Sequence, residues 1–269
     1  MGDEYFIGVD EAELERLREQ DAAWRPETHA LWQRAGFSAG QHIADLGSGP
    51  GFTSMDLAQI VGAAGRVTAL DKAATFLDFL AAEAKTRGIG NIRTVVTDLT
   101  TLTRIDGALD GAFSRWFFAF LIEDLDHVLE CVYRSLKPGG VLAAMEYLTL
   151  ESTTCSPPLR GFREHTQAWV RYYAGNGGDT TVGTYLPSRL RAAGFEVTSI
   201  ECVGGMAGAR HRWWRWWGRL IQEFGAKFAA DGYMTAEALE HLQADWQAAS
   251  GNPDAFIHTP VLVQIVARK

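Results

Sequence analysis

The sequence predicts an α/β fold built on a parallel sheet, and three observations carry that prediction. From residue 42 onward, short β-rich runs alternate with segments of helical apolar spacing, the rhythm of parallel strands joined by crossover helices. The first run passes straight into a glycine turn that opens a helix. Each of the first three runs also carries an aspartate at or near its carboxyl end: Asp45, Asp71 and Asp98.

The elements follow in order. Residues 10–35 are polar with helically spaced Leu14, Leu17, Ala22, Ala23, Ala30 and Leu31, which predicts two short helices within an N-terminal helical lid over 1–41. The α/β core spans 42–147, with strands expected at 42–46, 66–70, 92–97, 109–116 and 141–147 and helices at 52–61, 73–87 and 124–136. Leu125, Val128, Leu129, Val132 and Leu136 share one face of the last helix. The rhythm stops after Tyr147. Residues 148–183 read as an inserted substrate lobe, with Pro157-Pro158, the aromatics Trp169, Tyr172 and Tyr173, and a flexible loop at Gly175-Asn176-Gly177-Gly178. Residues 184–269 complete the core with a helix at 186–193 entered through Pro187 and strands at 195–203 and 260–267, enclosing a mostly helical insertion at 206–250.

Composition bounds the partners. The 269 residues are 47% hydrophobic and 22% charged, with 28 glycines against 8 prolines, so the chain belongs among folded globular proteins and not among fibrous or disordered ones. A formal charge of -8 argues against a nucleic-acid backbone as partner and favours a small molecule. No apolar run approaches the ~20 residues that cross a bilayer, and the start Met1-Gly2-Asp3-Glu4 has no basic leader, so neither membrane insertion nor export is expected. Three scattered cysteines fit neither a disulfide framework nor a metal site, which places the protein in a reducing, cytoplasmic compartment.

The segment with the most chemistry is His42-Ile43-Ala44-Asp45-Leu46-Gly47-Ser48-Gly49-Pro50-Gly51-Phe52. Alternate glycines let a backbone approach a ligand closely and leave amides free at a helix N-terminus. Dinucleotide sites use GxGxxG, whereas this turn is GxGxG with Asp45 two positions ahead, an acid that would repel a pyrophosphate and suit a cationic or zwitterionic ligand. A plain tight turn is the alternative. Asp71 follows Gly51 by 20 residues and can accept both hydroxyls of a ribose, or simply cap the next helix. Asp98 can accept from an adenine amino group, or bond its own turn. Three such acids at the ends of successive parallel strands would converge on one crevice.

On these residues the sequence resembles the class I S-adenosylmethionine-dependent methyltransferases over nearly its whole length. DLGSGPG at 45–51 resembles the family's first motif, Asp71 its ribose acid and Thr97-Asp98-Leu99 its adenine motif, while the 109–116 and 136–142 segments are similar to its fourth strand and its turn into the fifth. Tyr5, Glu13-Leu14-Glu15-Arg16-Leu17 and Gln20, with Leu186-Pro187 and Ala193-Gly194-Phe195, resemble a bacterial small-molecule subgroup similar to quinone-type C-methyltransferases. Ser114 departs from that subgroup's glycine. The resemblance implies a Rossmann-like seven-stranded sheet in the order 3-2-1-4-5-7-6 with strand seven antiparallel. It also implies S-adenosylmethionine as methyl donor, S-adenosylhomocysteine as product, and a cofactor site of Gln20, Asp45, Gly47, Ser48, Gly49, Gly51, Asp71, Lys72, Thr97, Asp98, Leu99 and Arg115.

Methyl transfer needs a base only where the acceptor carries a proton. The candidates are Tyr5, His165, His211 and Glu146, with Tyr5 also able to meet a sulfonium through its ring; a structural role is the alternative for each histidine. The remaining histidines offer no metal spacing, and the cysteines do not support arsenite chemistry. The segment 212–228 places Trp213, Trp216, Trp217, Leu220, Phe224 and Phe228 on one helical face and Arg212, Arg215 and Arg219 on the other. Three readings fit it: a lid packed on the core, a wall of the acceptor pocket, or a helix at a lipid interface. The expected function is methylation of a small, partly apolar metabolite, against a retooled fold of other chemistry or an inactive nucleoside-binding regulator.

Overall fold

The computed structural model describes residues 11–269, so Tyr5 lies outside the described residues. Its centre is a seven-stranded sheet. Strands β1 (His42–Leu46), β2 (Arg66–Asp71), β3 (Ile92–Val96), β4 (Leu109–Arg115) and β5 (Leu136–Thr149) are joined through helices α2 (Phe52–Val61), α3 (Ala74–Thr86) and α4 (Leu125–Ser135), preceded by α1 (Glu11–Ala35). After β5 come the short β6 (Thr154–Ser156), α5 (Phe162–Gly175), α6 (Leu186–Ala192), β7 (Glu196–Val203), β8 (Met206–Gly208), α7 (Arg212–Ala230), α8 (Ala236–Ser250), β9 (Phe256–His258) and β10 (Val261–Arg268).

The strand order is β3-β2-β1-β4-β5-β10-β7, with β10 antiparallel to both its neighbours. Three minor strands form a separate sheet, β6-β9-β8; with these set aside, the order is the expected 3-2-1-4-5-7-6. Register is fixed by burial. Ile43, Ala44 and Leu46 of β1 and Leu142 and Ala143 of β5 are fully covered, as central parallel strands require. The break in order between β1 and β4, which both flank the first glycine turn, opens a crevice at the strands' carboxyl ends.

One expectation is corrected. The N-terminal segment is one 25-residue helix, not two, and it carries Pro26 in its interior. A mid-helix proline forfeits a hydrogen bond and costs ~3 kcal/mol, but Trp24, Thr28, Leu31 and Trp32 on both sides of it are buried in the common core, and burying large apolar side chains at ~1.5 to 3 kcal/mol each outweighs that loss. The basic side of α7 does not face solvent throughout. Arg212 donates to the Ala23 carbonyl (2.6 Å) and pairs with Glu27, and Arg219 pairs with Glu223 at 2.6 Å. Arg215 alone of the three is exposed. No helix among the described residues is long and apolar enough to cross a membrane.

Candidate active site

The glycine turn after β1 adopts a left-handed backbone at Gly47 (φ 65°), Gly49 (φ 52°) and Gly51 (φ 76°). Gly47 must lack a side chain for a second reason: a Cβ there would lie 2.9 Å from Phe117 Cγ and closer still to Cδ2, whereas one on Gly49 would meet open space. Asp71, at the end of β2, bridges this turn to the next. Its carboxylate accepts from the Gly49 N–H (2.8 Å) and the Ala73 N–H (2.9 Å). Burial pushes its pKa up, against the pull of those N–H donors.

Asp45 is buried, and its Oδ2 accepts from Thr53 Oγ1 (2.9 Å) and Ser54 Oγ (2.6 Å) on the first turn of α2. Desolvation nevertheless raises it to about 6, with Arg115 lowering it as a smaller effect. Asp98 Oδ1 accepts from the Thr100 N–H (2.9 Å) and Oγ1 (2.8 Å), so the turn role is real, and it leaves Oδ2 without a bond from that turn. Arg115, at the end of β4, donates to Thr28 Oγ1 (2.9 Å) and Asp21 (2.8 Å), tying the sheet to α1. Gln20 Oε1 accepts from Arg16 (2.9 Å) and Trp216 Nε1 (3.3 Å), tying α1 to α7.

These residues surround a cleft with two chambers. The larger, about 290 Å³, is lined by Asp71, Lys72, Thr97, Asp98 and Leu99. The smaller, about 110 Å³, is lined by Gln20, Asp45, Ser48, Gly49 and Arg115 on one side and by Tyr147, Trp169, Tyr173, Trp217 and Leu220 on the other. Gly47, Trp116 and Phe120 line both. Ser48 Oγ is buried with no partner, which a ligand's polar atom would satisfy. Gly51 lines neither chamber; it is the N-cap of α2.

Of the three residues shared by the chambers, sequence reasoning found Gly47 and missed Trp116 and Phe120. Trp116 is the single non-glycine position with positive φ (53°) among the described residues, a conformation that costs ~1 to 3 kcal/mol and that surrounding structure must hold in place. Its ring stacks with Trp216 (6.2 Å, 9°) and Tyr147 (5.8 Å, 25°). Nothing in the one-dimensional pattern marks Trp116 apart from its place at the end of a strand.

The base candidates fare differently. His165 is fully buried among Trp169, Trp217 and Phe228, and burial lowers it to about 3, so it is neutral and lines neither chamber. His211 caps α7, its Nδ1 accepting from the Trp213 N–H (3.2 Å), and it too lies outside the lining. Glu146 is fully buried at the end of β5; its Oε1 accepts from the Phe117 (2.8 Å) and Phe118 (2.9 Å) N–H groups, and desolvation raises it to about 8. Helix α7 does border the cleft, through Trp217 and Leu220, while Trp214 faces α8 and stacks on Trp246 at 4.0 Å.

Comparison with known proteins fits this geometry. A family model described as a methyltransferase domain matches residues 43–140. The ubiquinone/menaquinone biosynthesis C-methyltransferase UbiE of Edwardsiella ictaluri (strain 93-146) is 26% identical over 203 residues, covering 68% of this chain and 80% of that protein. Among solved structures, a SAM dependent methyltransferase from Aquifex aeolicus superposes with a TM-score of 0.54 at 21% identity, covering 71% of this chain and 92% of that one. The [4+2]-cyclase SpnF superposes with a TM-score of 0.58 at 22% identity, covering 91% of this chain and 80% of that one.

Proposed function

We propose that the chain is a class I S-adenosylmethionine-dependent methyltransferase that transfers the methyl group to a small, partly apolar metabolite by in-line displacement, a reading supported by the matching methyltransferase domain and the C-methyltransferase relatives. The supporting observation is the division of the cleft. One chamber ends three strands in polar and acidic groups, the other sets the glycine turn, Gln20, Asp45 and Arg115 against a wall of aromatic rings, and Gly47, Trp116 and Phe120 line both.

The bound sulfonium supplies an already activated leaving group, so the protein's work is to bind, align and exclude water. Asp71 Oδ1 and Oδ2 each take one backbone N–H and keep lone pairs for the ribose hydroxyls. Thr97, Asp98 and Leu99 border the adenine end, with Lys72 beside Asp71. Gln20, Asp45, Gly47, Ser48, Gly49 and Arg115 border the methionine end, where the Asp45 carboxylate complements a cationic centre and the unpartnered Ser48 hydroxyl is free to bond it. Gly51 contributes indirectly by starting α2. The acceptor lies against Tyr147, Trp169, Tyr173 and Trp217, rings that give one side of the smaller chamber an aromatic wall. Tyr5 stays a candidate for the proton; His165 and His211 act through structure.

The test has two stages. S-adenosylhomocysteine at ~100 times its dissociation constant should stabilise the fold by ~2.7 kcal/mol, and Asp71→Ala should weaken binding ~10- to 100-fold, the loss expected for hydrogen bonds to a charged group. Incubation with isotopically labelled donor and an extract of the source cells should then label one small metabolite. Absence of any thermal shift with S-adenosylhomocysteine would sink the cofactor site. Binding without methyl incorporation would instead favour a fold put to other chemistry.

A further inference from the structure

Among the described residues, Glu146 is the one fully buried carboxyl that the proposed transfer does not use. It sits at the end of β5, immediately across from the segment that follows β4. Its Oε1 receives two consecutive backbone N–H groups, from Phe117 at 2.8 Å and Phe118 at 2.9 Å, and its Oε2 is buried with no partner. It lines neither chamber of the cleft. A buried side chain that accepts two neighbouring amides fixes the backbone between and before them, because losing it would strand both donors away from water.

The backbone so fixed is the border of the cleft. Immediately before Phe117 stands Trp116, in a left-handed conformation that an isolated chain would leave. The Trp116 N–H is held by the Met145 carbonyl (3.0 Å), the residue just before Glu146, so two successive residues of β5 grip three successive amides of the turn. The consequence reaches both chambers. Trp116 faces each of them, and the Phe117 ring lies against Gly47 and lines the nucleoside-side chamber.

We propose that Glu146 is a positioning residue for the transfer reaction: by gripping the Phe117 and Phe118 amides it holds Trp116 and Phe117 in the geometry that joins the nucleoside-side chamber to the smaller chamber. It does not touch the reacting atoms and is not a base. The role needs a carbonyl-type oxygen at this point and no charge. Burial raises the carboxyl to about 8, so near neutral pH it carries its proton, and glutamine presents the same acceptor oxygen in the same volume.

The inference rests on the methyltransferase reading, and its test separates the two. Wild type, Glu146→Gln, Glu146→Leu and a control, Leu190→Ala in α6, a residue that lines neither chamber, are compared by S-adenosylhomocysteine titration and, without ligand, by amide exchange at Phe117 and Phe118. Leu190 is fully buried, so its truncation measures general destabilisation. Glu146→Leu should weaken S-adenosylhomocysteine binding at least ~10-fold and speed exchange at the two amides, Glu146→Gln should stay within ~3-fold of wild type in both, and Leu190→Ala should leave affinity unchanged. If Glu146→Leu binds and exchanges like wild type, or if Glu146→Gln fails as badly as Glu146→Leu while folded, the positioning role is wrong. Should Glu146→Leu not fold, the glutamine variant decides alone. A wild type that does not bind S-adenosylhomocysteine refutes the reading of the cofactor site, and the exchange data still judge the grip on the turn.

Discussion

Replacing Gly47 by alanine places two separable penalties on one position. The left-handed backbone at φ 65° costs an L-residue ~1 to 2 kcal/mol. The new Cβ would also stand 2.9 Å from Phe117 Cγ, and overpacking of this kind costs a further ~1 to 3 kcal/mol. Gly49 is the internal control, since its backbone is equally left-handed (φ 52°) while a Cβ there meets nothing within 4 Å. Gly49→Ala should therefore lose ~1 to 2 kcal/mol, and Gly47→Ala ~2 to 5 kcal/mol. At ~2 to 4 °C per kcal/mol for a chain of this size, Gly47→Ala should melt several degrees below Gly49→Ala in calorimetry. The double variant Gly47→Ala/Phe117→Ala removes the obstructing ring, and a double-mutant cycle should return ~1 to 3 kcal/mol of favourable coupling. Equal melting of the two single variants, or a coupling below ~0.5 kcal/mol, would refute the account of why the first glycine of the turn has to be glycine.

Three other outcomes concern His165, His211 and Glu146. His165→Ala should lower the melting temperature by opening a cavity among Trp169, Trp217 and Phe228, and His211→Ala should cost ~1 kcal/mol through the lost N-cap, each leaving methyl transfer within ~10-fold of wild type; a loss beyond ~10⁴-fold in a folded variant would make that histidine a catalytic base. Burial raises Glu146 to about 8, above its unfolded value near ~4.3, so its protonated form is favoured by folding. That contribution is complete at acid pH and is lost as pH rises between those two values. Denaturant midpoints at pH 5 and pH 8 should therefore differ less in Glu146→Gln than in wild type, and an identical pH slope in both proteins would count against the shift.

Much of the fold is legible in the sequence because local patterns specify it. The alternation of β-rich runs and helical stripes places β1 to β4 and α2 to α4 to within a few residues, since a strand or crossover helix buries a face whose period is written in the chain. Strand β5 starts at Leu136 and not at the expected 141. The strand order and antiparallel seventh core strand come through the family resemblance, and the sheet has both. Asp45, Asp71 and Asp98 stand out because each lies beside a turn that its own sequence announces, and all three border the cleft.

What tertiary structure decided are the matters in which distant segments compete for one place. Pro26 reads as a helix break, yet burial of Trp24, Leu31 and Trp32 keeps α1 whole. The wheel of α7 separates its tryptophans from its arginines, but cannot tell that Glu27 and the Ala23 carbonyl wait on α1 for Arg212. His165 looks as reactive in sequence as any histidine, and only its burial makes it a neutral core residue. Trp116 and Glu146 are 30 residues apart and carry no shared motif; the parallel pairing of β4 with β5 brings them together, and the carboxyl of one strand then sets the backbone of the turn that follows the other. Local periodicity records which face of an element is buried. It does not record what that face is buried against, and in this protein the border between the two chambers depends on that second fact.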